Sequence, residues 1–270
     1  MIAGSENAGA RAPTWIVAVI GGAECHRVGI ICNVTKPRQP IRSELAWSTP
    51  ERIVVRGRDL PGEILGHLNL GDMAFLELTG KAPDPKESKL FNAMVVTLVE
   101  HGVTPSALVA RLTYLGAPEA MQAAVAAGLC GLGSVFVGST EGVARMLSET
   151  LDVEKILSQK RIAGLGHPLH KPLDPRTVRL FEIARETGFY GKYCKTMEEV
   201  AKRKSLTLNA TGAIGALACE LGLDWRAVRG LGVMARAVGL VGHILEESRQ
   251  PMAEEVWLRI EEEASKHLKP

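Results

Sequence analysis

The 270-residue sequence is poor in the features that mark several large classes of protein. Aromatic residues make up 4% of it, too few for a surface that stacks nucleobases. No basic block is longer than Lys202-Arg203-Lys204, and 32 Lys+Arg against 30 Asp+Glu leave a formal charge of +2. That balance excludes the footprint of a nucleic-acid-binding protein. The five cysteines (Cys25, Cys32, Cys130, Cys194, Cys219) are odd in number, scattered and never spaced as CxxC. They form neither a disulfide framework nor a zinc motif, and the expectation is a reduced, cytoplasmic protein. The apolar run Trp15-Ile-Val-Ala-Val-Ile20 is too short to span a bilayer and, behind a neutral polar leader, is a poor secretion signal. No membrane attachment is expected, and no internal repeat is visible at a fixed period.

What is present is enough apolar material for a large core, 46% of the residues. Residues 1 to about 38 read as a loosely attached extension to which no function is assigned. From 39 to 270 the chain reads as an all-α helical bundle, with part of 150–235 expected as a small subdomain. Its one strand signal lies at its start: SELAWSTPERIVVRGRD, Ser43 to Asp59, alternates apolar positions around a Ser-Thr-Pro break and suits a small β-hairpin. Helical patterns follow from Leu60, in GEILGHLNLGDMAFLELTG, KESKLFNAMVVTLVEHG, SALVARLTYLG and PEAMQAAVAAGLCGLG, each ending in a glycine suited to a left-handed cap. Ser139 or Thr140 is expected to cap the next helix. Further helices are expected over Arg176–Thr187, Met197–Lys204, Thr211–Leu221, Trp225–Glu247 and Met252–His267. Stretches such as AAVAAG and TGAIGALA place small residues where helices can cross closely.

The densest chemistry lies in Gly164-Leu-Gly-His-Pro-Leu-His-Lys-Pro-Leu-Asp-Pro-Arg176. Its three prolines exclude a helix interior. His167, His170 and Asp174 are conceivable metal ligands, but the prolines prevent the spacing that sets two imidazoles on one helix face, and no metal is expected. A loop with Lys171 and Arg176 more naturally cradles a phosphate or carboxylate through backbone N–H groups, leaving His167 to bond a carbonyl. A rigid surface turn explains the stretch equally well on its own. Three other segments share its character: Glu100-His101-Gly102, Leu208-Asn209-Ala210-Thr211-Gly212, and Arg236-Ala-Val-Gly-Leu-Val-Gly-His243 within an apolar helix. Arg236 there needs an anionic partner. His243 suits a satisfied core histidine.

Taken in order, these segments resemble the citrate synthase superfamily. GLGHPLHKPLDPR is similar to its GHRxYKxxDPR loop, ARAVGLVGHILEE to its RVAGWxAHxxEQ helix, TLVEHGVTPSALVARL to the ADHG segment and LNATGAIGAL to the LNVDG segment. FVGSTEGVARML falls where members carry HGGANE or FGGALD. The match covers roughly residues 40 to 250 and is nearest to the short branch that resembles citryl-CoA lyase, and to the citryl-CoA-cleaving domain of ATP-citrate lyase. It implies a citrate synthase-like helical bundle, a homodimer with the Pro118–Gly131 helix at its interface, and coenzyme A bound as a thioester. It further implies that His101 and His167 touch the organic acid, that Arg176 and Arg236 clamp its carboxylates with Asn209 nearby, and that the Gly164, Leu165, Gly166 and Lys171 loop lines the coenzyme A site.

Three departures bear on mechanism. Phe136 stands where synthases place the histidine that polarises the thioester carbonyl, as in the lyase branch. Thr211 stands where the family has its catalytic aspartate, and a hydroxyl is too weak a base to take a proton from carbon. Pro168 follows His167 where arginine is usual, which suggests a substrate with one carboxylate fewer than citrate. The resulting expectation is a carbon–carbon lyase that splits a 3-hydroxy-3-carboxyacyl-CoA into an acyl-CoA and a 2-oxo acid. In it His101 or His167 acts as base, and Thr211 bonds the enolate or a water unless it merely caps a helix. The alternatives are a Claisen-type acyltransferase, or an acyl-CoA-binding homologue without catalysis.

Overall fold

The computed structural model of the chain describes residues 40–269, so the expected extension at 1–38 lies outside the described residues. The expected hairpin gains a third strand. β1 (Ala46–Ser48), β2 (Ile53–Val55) and β3 (Arg58–Asp59) form an antiparallel sheet in that order, with Trp47 opposite Val54 and Val55 opposite Arg58. Both valines of β2 are buried: Val55 joins Ile64 and Leu76 in a small cluster, and Val54 is covered although its cross-strand partner Trp47 stays half-exposed.

Everything after the sheet is helical: α1 (Leu70–Thr79), α2 (Pro85–Val99), α3 (Pro105–Gly116), α4 (Met121–Cys130), α5 (Gly138–Glu149), α6 (Val153–Leu157), α7 (Pro175–Thr187), α8 (Lys192–Lys204), α9 (Ala210–Glu220), α10 (Trp225–Glu247) and α11 (Ala253–Ser265). The starts of α2, α3 and α7 carry proline in the first turn, where its missing N–H costs nothing. Several sequence expectations shift. The first helical pattern breaks after a short turn at Leu60–Ile64, and α1 starts only at Leu70, capped by Asn69. Gly80 caps α1 in the left-handed conformation as expected, whereas α2 ends on an extended Glu100 with the left-handed Gly102 beyond it, α3 is capped by Ala117, and Gly131 at the end of α4 stays right-handed. Ser139 and Thr140 do not cap α5; their hydroxyls bond back to the carbonyls of Phe136 and Val137, inside a helix that begins at Gly138. α8 starts five residues before the expected Met197.

α10 runs through the middle, packed on α2, α3, α4 and α5. By length and composition it could cross a bilayer, but half of its apolar window is buried inside the bundle. Phe75, Phe91, Met94, Val143, Leu147, Ile214 and Leu231, from five helices, belong to one continuous core. Close helix contact rests on glycine, as the small-residue stretches suggest. A Cβ on Gly215 of α9 would lie 2.6 Å from the Val143 Cβ of α5, and one on Gly128 of α4 would lie 2.8 Å from Leu240 of α10. These spacings are possible only without a side chain.

Candidate functional site

The helical ends and loops around α10 enclose a cavity of about 930 Å³. Nine of the ten sequence-selected residues line it: His101, Gly164, Leu165, Gly166, His167, Arg176, Asn209, Thr211 and Arg236. Lys171 does not; it lines a second cavity on the other side of its loop, with Arg185 and Lys202.

The floor is built by the backbone of two distant segments. Gly166 N–H donates to the Thr207 carbonyl (2.7 Å), Asn209 N–H to the Gly164 carbonyl (3.1 Å), and the Asn209 side chain to the Gly166 carbonyl (2.7 Å). The two chains approach so closely that a Cβ on Gly212 would sit 2.5 Å from the Gly164 oxygen, and Gly164 itself adopts a φ of +79°. Glycine is therefore required at both positions. Farther along, Leu169 and His170 N–H groups both donate to His167 Nδ1, at 3.1 and 3.0 Å. This narrows one expectation from the sequence. The N–H groups of Gly166, Leu169 and His170 are already used within the protein and are not free to cradle an anion, which falls to the other N–H groups of the loop and to the side chains of His167 and Arg176.

Those side chains have fixed directions. A neutral imidazole has one lone pair, and two backbone donors occupy that of His167 at Nδ1, so its Nε2 carries the proton. Arg176 Nη2 lies 3.3 Å from that Nε2. Two donors facing each other at this distance call for an oxygen acceptor that both can reach. Arg176 is itself held by Asp174, whose carboxylate accepts from its Nε (3.0 Å) and Nη2 (2.8 Å), caps α7 through Arg176 N–H, and accepts from Ala210 N–H at the start of α9 (3.0 Å). Burial alone raises the Asp174 pKa, but the Arg176 bonds and the backbone donors outweigh it and hold the carboxyl below its usual range. The sequence pointed to Asp174 only as a possible metal ligand; its real partner is two residues away in the same Asp-Pro-Arg.

Arg236 is 8% exposed on α10. Among the described residues its side chain makes one hydrogen bond, to Thr104 Oγ1 at 3.2 Å, and its Nε has no partner. Burial lowers its pKa, opposed by Glu100. His101, His167 and His170 stand together, with ring centroids 4.3 to 6.2 Å apart and one ligand atom of each within 4.8 Å of the others. The spacing would admit a metal ion, a possibility hidden from the sequence because His101 lies on another loop. The donor set fits a cation poorly, since His167 Nε2 is protonated and Arg176 and Arg236 already bring positive charge. Burial is the first cause that lowers the pKa values of both His101 and His167; Arg176, His170 and Arg236 add to it at His101, and His170 and Arg176 at His167, so both rings are neutral at pH 7.

Thr211 is the second residue of α9, not its cap. Asn209 Oδ1 caps the helix through Gly212 N–H (3.0 Å) and also accepts from Thr211 Oγ1 (2.7 Å), while Ser139 Oγ lies 2.8 Å from the same hydroxyl. The threonine proton is thus committed to Asn209, and Thr211 presents lone pairs to the cavity. Phe136 also lines the cavity and is half-exposed, and the one carboxylate in the lining, Glu141, is paired with Arg229 at 2.5 Å.

A family profile for the citrate synthase C-terminal domain matches residues 67–257. The solved structure of citryl-CoA lyase from Hydrogenobacter thermophilus superposes with a TM-score of 0.72 at 35% identity, covering 77% of this chain and 87% of that one. An ATP citrate lyase from Methanosaeta concilii, solved with (3S)-citryl-CoA, shares the fold at a TM-score of 0.65 and 20% identity, covering 80% of this chain and 40% of that one. Citrate synthase 2 of Bacillus subtilis (strain 168) is 26% identical over 185 residues, 63% of this chain and 50% of that protein. The chain spans half or less of the length of such curated relatives. With the family profile spanning most of its length and this fold beneath it, the chain belongs to the citrate synthase family.

Proposed function

We propose that the protein is a coenzyme A-dependent carbon–carbon lyase of the citryl-CoA lyase type, cleaving a 3-hydroxy-3-carboxyacyl-CoA to an acyl-CoA and a 2-oxo acid. The observation that carries this reading is Arg236, a buried guanidinium with an unpartnered Nε in the same cavity as the His167–Arg176 donor pair. Glu100 acts on this charge without forming an ion pair with it, and a buried cation with no direct ion pair is costly unless a ligand supplies the anion, as a carboxylate does bidentately.

Cleavage asks for a proton acceptor at the hydroxyl and donors at the oxygen that becomes the carbonyl. His101, neutral and free of side-chain hydrogen bonds among the described residues, takes the hydroxyl proton. The carbon–carbon bond breaks, its electron pair passes to the thioester enolate, the enolate carbon takes a proton from water, and the hydroxide so formed takes the proton held by the His101 imidazolium, which returns the ring to its neutral form. His167 Nε2–H and Arg176 hold the new carbonyl or the adjoining carboxylate. The reverse condensation begins with removal of a proton from carbon, and Glu141, bound to Arg229, and Thr211 offer no base for it. Because Asp174 already neutralises Arg176, Arg236 is the principal unspent cation. That supports a substrate acid with one carboxylate fewer than citrate. The acyl-CoA would run along Leu165 and Phe136, with Arg145, Arg161 and Arg229 near its phosphates; Lys171, in the other cavity, drops out of this role. The same reading includes a cytoplasmic homodimer that pairs through the exposed small residues Ala123 and Ala126 of α4.

The test is oxo-acid release from citryl-CoA and from its methyl analogue, citramalyl-CoA, alongside calorimetric binding of acetyl-CoA with and without pyruvate or oxaloacetate. Release from either thioester is the expected result. No release together with no acyl-CoA binding would leave the fold without this function. Thr211→Asp separates the lyase from a synthase that has lost its acid: cleavage should fall, and a large gain of condensation would refute the assignment.

A further inference from the structure

His243 of α10 lies outside the cavity lining, yet its two ring nitrogens are both engaged. Arg111 of α3, 1% exposed, approaches Nδ1 with Nε (3.2 Å) and Nη2 (2.9 Å). A guanidinium can only donate, so Nδ1 accepts and the proton sits on Nε2. That Nε2–H points at the Glu100 carboxylate, 3.2 Å from Oε1 and 3.1 Å from Oε2. Glu100 Oε1 in turn accepts the backbone N–H of His101 (2.8 Å) and of Gly102 (2.6 Å). At the far end Arg111 is anchored by buried Glu247 (2.7 Å) and by Glu246.

We infer that Glu247, Arg111, His243 and Glu100 form a relay of fixed polarity, buried as far as His243 and reaching the surface at Glu100, that positions the His101 loop against the cavity, with His243 and Glu100 as positioning residues. Each link has one direction only. The arginine fixes the histidine tautomer, the tautomer fixes which carboxylate it can hold, and the carboxylate holds the two N–H groups that set where His101 begins. The loop is otherwise weakly tied, since Gly102 takes a φ of +76° and the His101 ring makes no hydrogen bond among the described residues. α10 presses on the same place, where a Cβ on Gly239 would lie 2.1 Å from the Val99 carbonyl oxygen. A helix that carries Arg236 on one turn and His243 two turns on thus aligns the acid's cation with the proposed base. The inference rests on the reading of His101 as that base.

The test uses His243→Ala, His243→Gln and Glu100→Ala in the full chain, with citryl-CoA and citramalyl-CoA cleavage as one readout. The other readout is the NMR titration of the His101 imidazole, which faces His167, His170, Arg176, Arg236 and Asp174. His243→Ala and Glu100→Ala should lower kcat up to about 100-fold, the usual cost of a displaced catalytic group, while calorimetric binding of free coenzyme A stays unchanged. Both should move the His101 midpoint up towards the ordinary imidazole value, as the ring leaves its partly buried place beside positive neighbours. Glutamine can accept from Arg111 and donate to Glu100, so His243→Gln should restore most of both readouts. The relay is refuted if either alanine variant leaves the His101 midpoint and kcat where they were, or if His243→Gln behaves like His243→Ala. If His243→Ala fails to fold, half-exposed Glu100 supplies the same comparison. Absence of cleavage in the wild type would overturn the lyase reading, and the His101 titration would still decide the relay.

Discussion

Two buried arginines in this protein should respond in opposite ways to the same substitution. Arg236→Met removes a guanidinium that donates one hydrogen bond to a neutral hydroxyl and leaves Nε unpaired. A bond from a charged donor contributes about 1.5–3 kcal/mol, and an unmade bond on a buried donor costs about 1–3 kcal/mol. These nearly cancel, and methionine refills the apolar space, so the free protein should keep its stability to within about 1 kcal/mol or gain slightly. Arg111→Met instead strands Glu247, itself 4% exposed, and breaking such a buried pair costs about 3–5 kcal/mol. Ligand binding should reverse the order. If Arg236 clamps a carboxylate, losing it costs about 2–5 kcal/mol, or about 30- to 4,000-fold in affinity. The assay is thermal unfolding with and without pyruvate or oxaloacetate, followed by calorimetry. The acid should raise Tm for the wild type, as mass action requires, and leave Arg236→Met unmoved. If Arg236→Met melts as early as Arg111→Met while still binding the acid, the arginine is structural and the reasoning is wrong.

Other expectations follow from the same geometry. His101 and His167 are held below the ordinary imidazole pKa, so below about pH 6.5 the unfolded chain binds more protons than the folded one. The stability their neutral forms contribute is present above that pH and lost as it falls towards their folded values. The acid limb of kcat/KM, which reports the free enzyme, should lie below pH 6.5, and a limb above pH 7 would exclude these rings as the groups that must stay neutral. Gly212→Ala places a methyl 2.5 Å from the Gly164 carbonyl oxygen, backbone against backbone, so neither side can yield cheaply. It should cost about 1–3 kcal/mol, seen as a Tm several degrees lower, and an unchanged Tm would show that the floor of the site adapts.

What the sequence could reveal depended on whether the determining contact was local. Helix α7, the Pro-rich loop before it and the apolar periodicity of α10 were legible because proline, glycine and i, i+4 spacing act within one turn. Arg236 was legible as a charge in need of a partner because its neighbours along the helix are apolar. The tautomer of His167 was also a local matter, fixed by N–H groups two and three residues on, but only a loop of known shape reveals it. The histidine cluster and the relay behind it were not legible, since they join positions 66 to 143 residues apart that no periodicity connects. Thr211 marks the boundary between the two cases. Its position in LNATG correctly placed it at the start of α9, yet which oxygen caps that helix depends on Asn209 reaching forward to Gly212, and Ser139 arrives from another helix altogether. The cap that a threonine so often provides was therefore taken by its neighbour, and with it went the free hydroxyl proton that an enolate would need. Under the proposed lyase reading, the site keeps the donors that would hold a cleaved carbonyl, His167 Nε2–H and Arg176, and carries a hydroxyl where a carboxylate base would stand, which is the difference that Thr211→Asp tests.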